Sequence, residues 1–385
     1  MFSRAAWIER IRTALRRNPV AALIGPRQVG KTTLARQFVA PGQPSYFDLE
    51  DPASLDQFAQ PMTTLAGLSG LVVIDEVQRA PQIFPVLRVL VDRPDNRAKF
   101  LLLGSAAPGL ARGSSESLAG RVEVIELPGL GLPEVGMENA SQLWWRGGFP
   151  RAYLAPTNAD SRAWRRQFLR IATERELPQL GMGLAAPAQM RFLTMVAHYH
   201  GQVWNAAEPA RSLGVSETTV RRHVDILASA FLVRQLPPWF ENVGKRQVKA
   251  PKIYFRDSGL LHQLLNIDDG AALLAHPKCG ASWEGFILEE MIRRTDPDEA
   301  YFWATHAGAE LDLLLLKDGR RIGVEIKRMD APRLTSSMRI ALADLKLDRL
   351  FVVYPGERRY ALADNVEVVP ARELATPLLQ ATSSV

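Results

Sequence analysis

Short, unbroken apolar runs punctuate the first third of the chain. Val20-Ala21-Ala22-Leu23-Ile24, Leu71-Val72-Val73-Ile74 and Phe100-Leu101-Leu102-Leu103 carry no polar residue on either face. A strand with one wet face would alternate, so these runs predict strands buried on both sides, as in a parallel sheet covered by helices. Each run stops in residues that carry chemistry: Gly25 after Ile24, Asp75-Glu76 after Ile74, and Gly104-Ser105 after Leu103. Upstream, the Arg-rich segment from Ile8 to Arg17 is amphipathic. The first strand starts only a few residues later, so this segment is expected to pack as a helix on the sheet rather than act as a targeting peptide.

Further along the periodicity changes. Residues 131–183 are rich in helix formers, Trp and Arg, and predict a helical lid with Trp144, Trp145 and Trp164 in its own small core. Ala210, Gly214 and Ser216 are spaced as the close contact, turn and cap of a helix-turn-helix, and Val220, Val224 and Leu227 repeat on its inner face. Strands at Phe231–Arg234 and Lys252–Phe255 then flank a basic loop, the plan of a winged helix. The last hundred residues predict a helix around Trp283–Ile292 and two strands, Glu310–Leu316 and Arg321–Lys327, joined by Lys317-Asp318-Gly319-Arg320. The expected fold class is α/β: a P-loop-type parallel-sheet core at 1–130, the lid at 131–183, the winged helix at 184–270 and a smaller α/β domain at 271–385.

Composition narrows the setting. With 47% hydrophobic and 23% charged residues the chain is ordinary globular protein. Its 385 residues exceed one compact core. A single cysteine, Cys279, cannot form an internal disulfide, and no apolar stretch approaches a membrane span, so a cytoplasmic setting is expected. The net charge of +6 permits nucleic-acid contact without requiring it.

Residues 25–32, Gly-Pro-Arg-Gln-Val-Gly-Lys-Thr, are the phosphate-binding loop G-x-x-x-x-G-K-T, with a strand before and a helix after. Gly25 and Gly30 allow the tight turn in which the amides of Pro26-flanked Arg27, Gln28, Val29, Lys31, Thr32 and Thr33 can surround an anion. Lys31 reaches the β- and γ-phosphates of ATP, and the Thr32 hydroxyl is placed to ligate Mg²⁺. Asp75, at the end of a buried strand, is expected to share that Mg²⁺, with Glu76 the base for the attacking water and Ser105 a sensor of the γ-phosphate.

The order of P-loop, Val-Val-Ile-Asp-Glu-Val-Gln-Arg, Leu-Leu-Gly-Ser and Ser117-Leu118-Ala119-Gly120-Arg121 resembles the AAA+-type ATPases of bacteria and archaea. More narrowly it resembles a subfamily with a C-terminal domain of unknown function, whose patterns Gly147-Gly148-Phe149-Pro150 and Tyr254–Leu260 also match. The resemblance implies a Walker B pair at Asp75 and Glu76. It also implies that Arg121 can act on nucleotide, from a neighbouring copy in a homo-oligomer such as a hexameric ring.

The smaller domain carries a second constellation. Glu310 and Asp312 share one face of their strand, as do Glu325 and Lys327 on the next. An acid on one strand and Glu-x-Lys on its neighbour resemble the PD-(D/E)xK nuclease core, with Glu284 as a fourth acid from the helix. For DNA contact the basic residues are Arg221 and Arg222 on the second helix and Lys245, Arg246 and Lys249 in the wing. Three functions stay open on these residues: an ATPase coupled to DNA, an NTPase switch working through protein partners, and an ATP-regulated nuclease.

Overall fold

In the computed structural model, which describes residues 2–40, 42–105, 118–241 and 247–375, the chain divides into two units. One comprises residues 1–129 with 229–231, the other 130–228 with 232–385.

The first unit is built on five strands: β1 (Val20–Ile24), β2 (Tyr46–Asp48), β3 (Gly70–Asp75), β4 (Ala98–Gly104) and β5 (Val122–Glu126). They lie in the order β2-β3-β4-β1-β5, and every neighbouring pair is parallel. All five residues of β1 are buried, as its uninterrupted apolar run requires of a central strand. Because the strands are parallel, the loops that follow β1, β3 and β4 leave the sheet at the same edge. That edge is where open α/β sheets bind ligands. The amphipathic helix Ala5–Arg17 buries Ile11, Ala14 and Leu15 and packs on β1, with Lys99 donating to the Leu15 carbonyl.

In the second unit, the Trp- and Arg-rich helices make a core of their own. Trp164 stacks on Phe168 at 5.2 Å and meets Phe149 at 5.3 Å. Arg165 is fully buried, donates to the Gly259 carbonyl at 2.8 Å and lies over the Trp145 ring. Helices Ala207–Leu213 and Glu217–Ser229 are joined through Gly214 (φ 67°), and the Ser216 hydroxyl accepts from the Thr219 amide at 3.1 Å. Strands β6 (Gln202–Val203), β7 (Val233–Leu236) and β8 (Lys252–Phe255) form an antiparallel sheet in the order β6-β8-β7.

The C-terminal sheet has β9 (Glu299–Ala304), β10 (Glu310–Lys317), β11 (Arg320–Ile326), β12 (Arg349–Tyr354), β13 (Tyr360–Ala363) and β14 (Val366–Pro370). Their order is β13-β14-β12-β11-β10-β9, with β11, β12 and β14 parallel and the other pairs antiparallel. Leu311 and Leu314 both enter one apolar cluster with Trp303 and Met338, which strict alternation forbids for residues three apart. The register of β10 against β9 shifts between those two residues, and the extra residue falls beside Asp312.

One buried histidine ties β8 to the long helix Cys279–Thr295. His200 Nδ1 accepts from the Phe255 amide at 2.9 Å, so Nε2 carries the proton and donates to the Ala281 carbonyl at 3.1 Å. The approach is close enough that a Cβ on Gly285 would lie 2.3 Å from Nε2. Burial pushes the His200 pKa down to about 3, against a weaker upward pull from the Ala281 carbonyl. The unfolded chain, with an ordinary histidine near 6.5, therefore takes up a proton that the folded chain refuses. Stability is undiminished above about pH 6.5. It should fall as pH drops towards 3, by up to about 1.4 kcal/mol per unit from this residue. Urea unfolding of His200→Gln should show a shallower pH dependence than the parent between pH 6.5 and 4. Identical slopes would mean that His200 does not titrate on unfolding.

Candidate active site

At the ligand edge of the five-stranded sheet the loop after β1 adopts a conformation that few residues tolerate. Gly25 has φ 150° and Gly30 φ 97°, while Gln28 takes a left-handed φ of 64°. A Cβ on Gly25 would meet the Leu127 carbonyl oxygen at 2.2 Å, so this position has room only for glycine. Val29 is buried and its carbonyl accepts from Arg4, which also holds the Pro128 and Gly129 carbonyls at 3.0 and 3.1 Å. Arg4 thus ties the P-loop to the segment after β5. Lys31 is buried at the start of its helix and donates to the Gly25 and Pro26 carbonyls at 2.9 and 2.7 Å.

Further side chains converge there. The Thr32 hydroxyl donates to Asp75 Oδ2 at 2.7 Å, and Tyr46 donates to the same oxygen at 3.1 Å. Asp75 Oδ1 accepts from the Glu76 amide at 3.0 Å. Glu76 itself is left-handed, with φ 53°, a conformation that costs about 1 kcal/mol or more in a non-glycine residue. Its carboxylate accepts from Gln78 Nε2 and, at 3.4 Å, from the Ser105 hydroxyl. Gln78 also reaches Ser105 at 3.2 Å, and Arg27 Nε reaches the same hydroxyl at 3.4 Å. Burial raises the Glu76 pKa, with the Lys31 charge opposing it, which moves the carboxylate towards the range of an effective base.

The structure therefore brings Gly25, Gly30, Lys31, Thr32, Asp75, Glu76 and Ser105 together, with Pro26, Arg27, Gln28 and Val29 completing the loop and Thr33 exposed behind it. Arg121 is not with them. It precedes β5, whose Val122 pairs with Val20 while Glu126 pairs with Ile24, so Arg121 sits at the opposite edge of the sheet. Its guanidinium is engaged there by Asp92 at 2.7 and 2.8 Å. The length of β5 removes Arg121 from its own chain's nucleotide loop by roughly 15 Å. Gln78, Tyr46 and Arg4 were not singled out from the sequence. Gln78 lies two places after Glu76, and only that spacing could have marked it.

In the second unit, the four acids predicted from the sequence motif do converge, with company. Glu284 accepts from the Tyr254 hydroxyl at 2.5 Å and is paired with Lys252 at 3.4 Å. Lys252, 4% exposed, also pairs with Glu310. Asp312 Oδ2 accepts from the Ile326 amide at 2.8 Å, where the β10–β11 ladder has ended at Leu313 and Val324. Lys327 pairs with Glu325 at 2.6 Å, leaving Glu325 Oε2 buried without a hydrogen-bond partner. Burial, with the charge of Asp312, pushes Glu284 up to about 7 and Glu325 up to about 8. Burial works against the Lys252 ammonium, but Glu284, Asp312 and Glu310 outweigh it and hold its pKa above the usual lysine value. Among the described residues no group of three or more His, Cys, Asp or Glu is arranged to hold a metal ion.

On helix Glu217–Ser229, Val220, Val224 and Leu227 are buried, while Arg221 and Arg222 are exposed. Arg221 pairs with Glu217 at 3.2 Å. Lys249 is exposed, and Lys245 and Arg246 lie outside the described residues. No helix among the described residues is long and apolar enough to cross a membrane.

Parallel strand order, P-loop and carboxylate-tipped third strand make the first unit a P-loop ATPase-type core, and a family model described as "AAA domain" matches residues 17–136. Two models described as domains of unknown function match residues 137–271 (DUF8612) and 279–374 (DUF4143). The chain is 53% identical over 367 residues to "Uncharacterized protein Rv2008c" of Mycobacterium tuberculosis (strain ATCC 25618 / H37Rv), covering 95% of this chain and 83% of that one. The same figures hold for "Uncharacterized protein Mb2031c" of Mycobacterium bovis (strain ATCC BAA-935 / AF2122/97). The chain belongs to the family of these mycobacterial proteins. Among solved structures it is similar to the Walker-type ATPase paby2304 of Pyrococcus abyssi, at 15% identity over 69% of this chain and 96% of that one, with a TM-score of 0.47.

Gly25→Ala should weaken nucleotide binding by at least about tenfold, because the new methyl must displace the Leu127 carbonyl or open the loop. Equilibrium titration with a fluorescent ATP analogue checks this. Unchanged affinity would show that the loop binds phosphate in another conformation.

Proposed function

We propose that this chain hydrolyses ATP with Mg²⁺ and couples turnover to the engagement of DNA by its helix-turn-helix segment. The contact of Thr32 with Asp75, beside a Glu76 held by Gln78 and Ser105, carries the catalytic part of this reading.

The residues suit a Mg–nucleotide. A hydroxyl and a carboxylate already share a hydrogen bond at 2.7 Å, so Thr32 and Asp75 can both turn an oxygen to one cation. When bound, Mg²⁺ would neutralise charge on the β- and γ-phosphates. Lys31 exchanges its two backbone carbonyls for phosphate oxygens, and the loop amides bind the remainder. Glu76 accepts a proton from the water whose oxygen attacks the γ-phosphorus, as the bond from phosphorus to the bridging oxygen breaks and ADP leaves. Ser105 donates to a γ-phosphate oxygen. Gln78 bridges base and sensor, so a change at Ser105 on binding ATP is transmitted to the position of Glu76.

The DNA part rests on the outer face of helix Glu217–Ser229. Its inner residues are committed to the core, and among the described residues its outward guanidiniums show one exposed ion pair, Arg221 with Glu217, worth little in water. The segment offers few Asn or Gln side chains for base edges, so contact is to phosphates first and sequence second.

Lys31→Ala should abolish ATP binding. Glu76→Gln should keep binding but lower turnover by about 10²- to 10⁴-fold, since an amide cannot take the proton. Parallel binding and phosphate-release assays separate the two, and full turnover in Glu76→Gln would remove it as the base. Duplex DNA should raise ATP turnover, and reversing Arg221 and Arg222 to Glu should cut both that stimulation and DNA affinity, with the salt slope of binding about two units shallower. Undiminished DNA binding by the double variant would give this helix to a protein partner instead.

A further inference from the structure

The four acids in the second unit are those that the sequence motif named, yet among the described residues they form no group arranged to take a metal. Among them stands a residue that the nuclease motif does not include. Lys252 comes from β8, in the three-stranded sheet, and its ammonium lies within ion-pair distance of Glu284 on the long helix and Glu310 on β10. It stands above the Phe302 ring, with the ring centroid 5.5 Å away. Tyr254, two residues on and on the same face of β8, hydrogen-bonds the same Glu284 oxygen that Lys252 faces. We propose that Lys252 is an internal cation that takes the place a divalent metal would occupy among Glu284, Glu310 and Asp312, so that this nuclease-like centre is closed to metal in the folded chain.

Two observations make the ammonium a built component rather than a passing surface contact. First, β8 cannot easily withdraw. Its Phe255 amide is bound by His200, which also binds the long helix at Ala281, and Gly285 is bare where His200 passes. Second, the acids have already committed oxygens to the protein. Tyr254 and Lys252 take one from Glu284, the Ile326 amide takes one from Asp312, and Lys327 takes one from Glu325. A metal would have to compete with an ammonium that is already in place, buried itself and in need of no dehydration on entry. The groups facing Lys252 are thus Glu284, Glu310 and Asp312, with Tyr254 and Phe302 completing its surroundings.

The test is Mn²⁺ binding to the full chain without nucleotide, followed by electron paramagnetic resonance. The parent and Asp312→Asn should bind Mn²⁺ alike, any P-loop contribution being common to both. Lys252→Met, which keeps most of the unbranched side chain and removes the ammonium, should gain one Mn²⁺ site that disappears in Lys252→Met/Asp312→Asn. Its thermal midpoint should fall without metal and recover on adding Mn²⁺. The proposal is overturned if the parent loses Mn²⁺ when Asp312 becomes Asn, since the centre would then be open to metal. It is equally overturned if folded Lys252→Met takes up no more Mn²⁺ than the parent. Should Lys252→Met fail to fold, the comparison of parent with Asp312→Asn decides the matter alone.

Discussion

Parallel pairing in the first unit forces every strand to end at one edge, and the ATPase site depends on that constraint. The chain inserts β1 between β4 and β5, and β3 lies one strand further away. Residues separated by more than forty positions, such as Thr32 and Asp75, are thereby brought to hydrogen-bond distance without any long loop having to carry them. The same constraint works in reverse on Arg121. A residue that precedes a strand in this sheet is delivered to the far edge, whatever its neighbours in sequence suggest.

That contrast shows what was legible. The P-loop could be read because its chemistry is local: eight consecutive residues contain the turn, the cation and the hydroxyl. Asp75 and Glu76 could be read because an apolar run ending in acids has a mechanical meaning in a buried strand. Tyr46 and Arg4 could not, because each acts through a contact set by tertiary packing and has no special spacing, and Gln78 had only its place two residues after Glu76 to mark it. In the second unit, Glu284, Asp312, Glu325 and Lys327 were visible as a motif, but Lys252 was visible only as one more basic residue in a basic stretch. Its significance lies in where β8 docks, which no periodicity encodes. The bulge beside Asp312 was likewise hidden, since the unbroken run Leu313–Leu316 shows no change of face.

The chain holds two carboxylate centres and treats them differently. At Asp75 the partners are hydroxyls from Thr32 and Tyr46, neutral groups that a cation can displace or join. At Glu284 and Glu310 the partner is an ammonium, whose removal would leave buried negative charge uncompensated. Similar acids thus make one site that can exchange its ligand and another whose charge is settled during folding.

Gly285 carries a consequence for anyone who would stabilise this protein. A glycine inside a seventeen-residue helix costs about 1 kcal/mol relative to alanine by helix propensity alone, and standard practice would replace it. Here the absent methyl is the space through which His200 reaches Ala281 while holding Phe255. Local preference and tertiary fit oppose each other at this residue. An alanine would improve the isolated helix while prising β8 away from it, so the gain in one element would be lost at the seam between two.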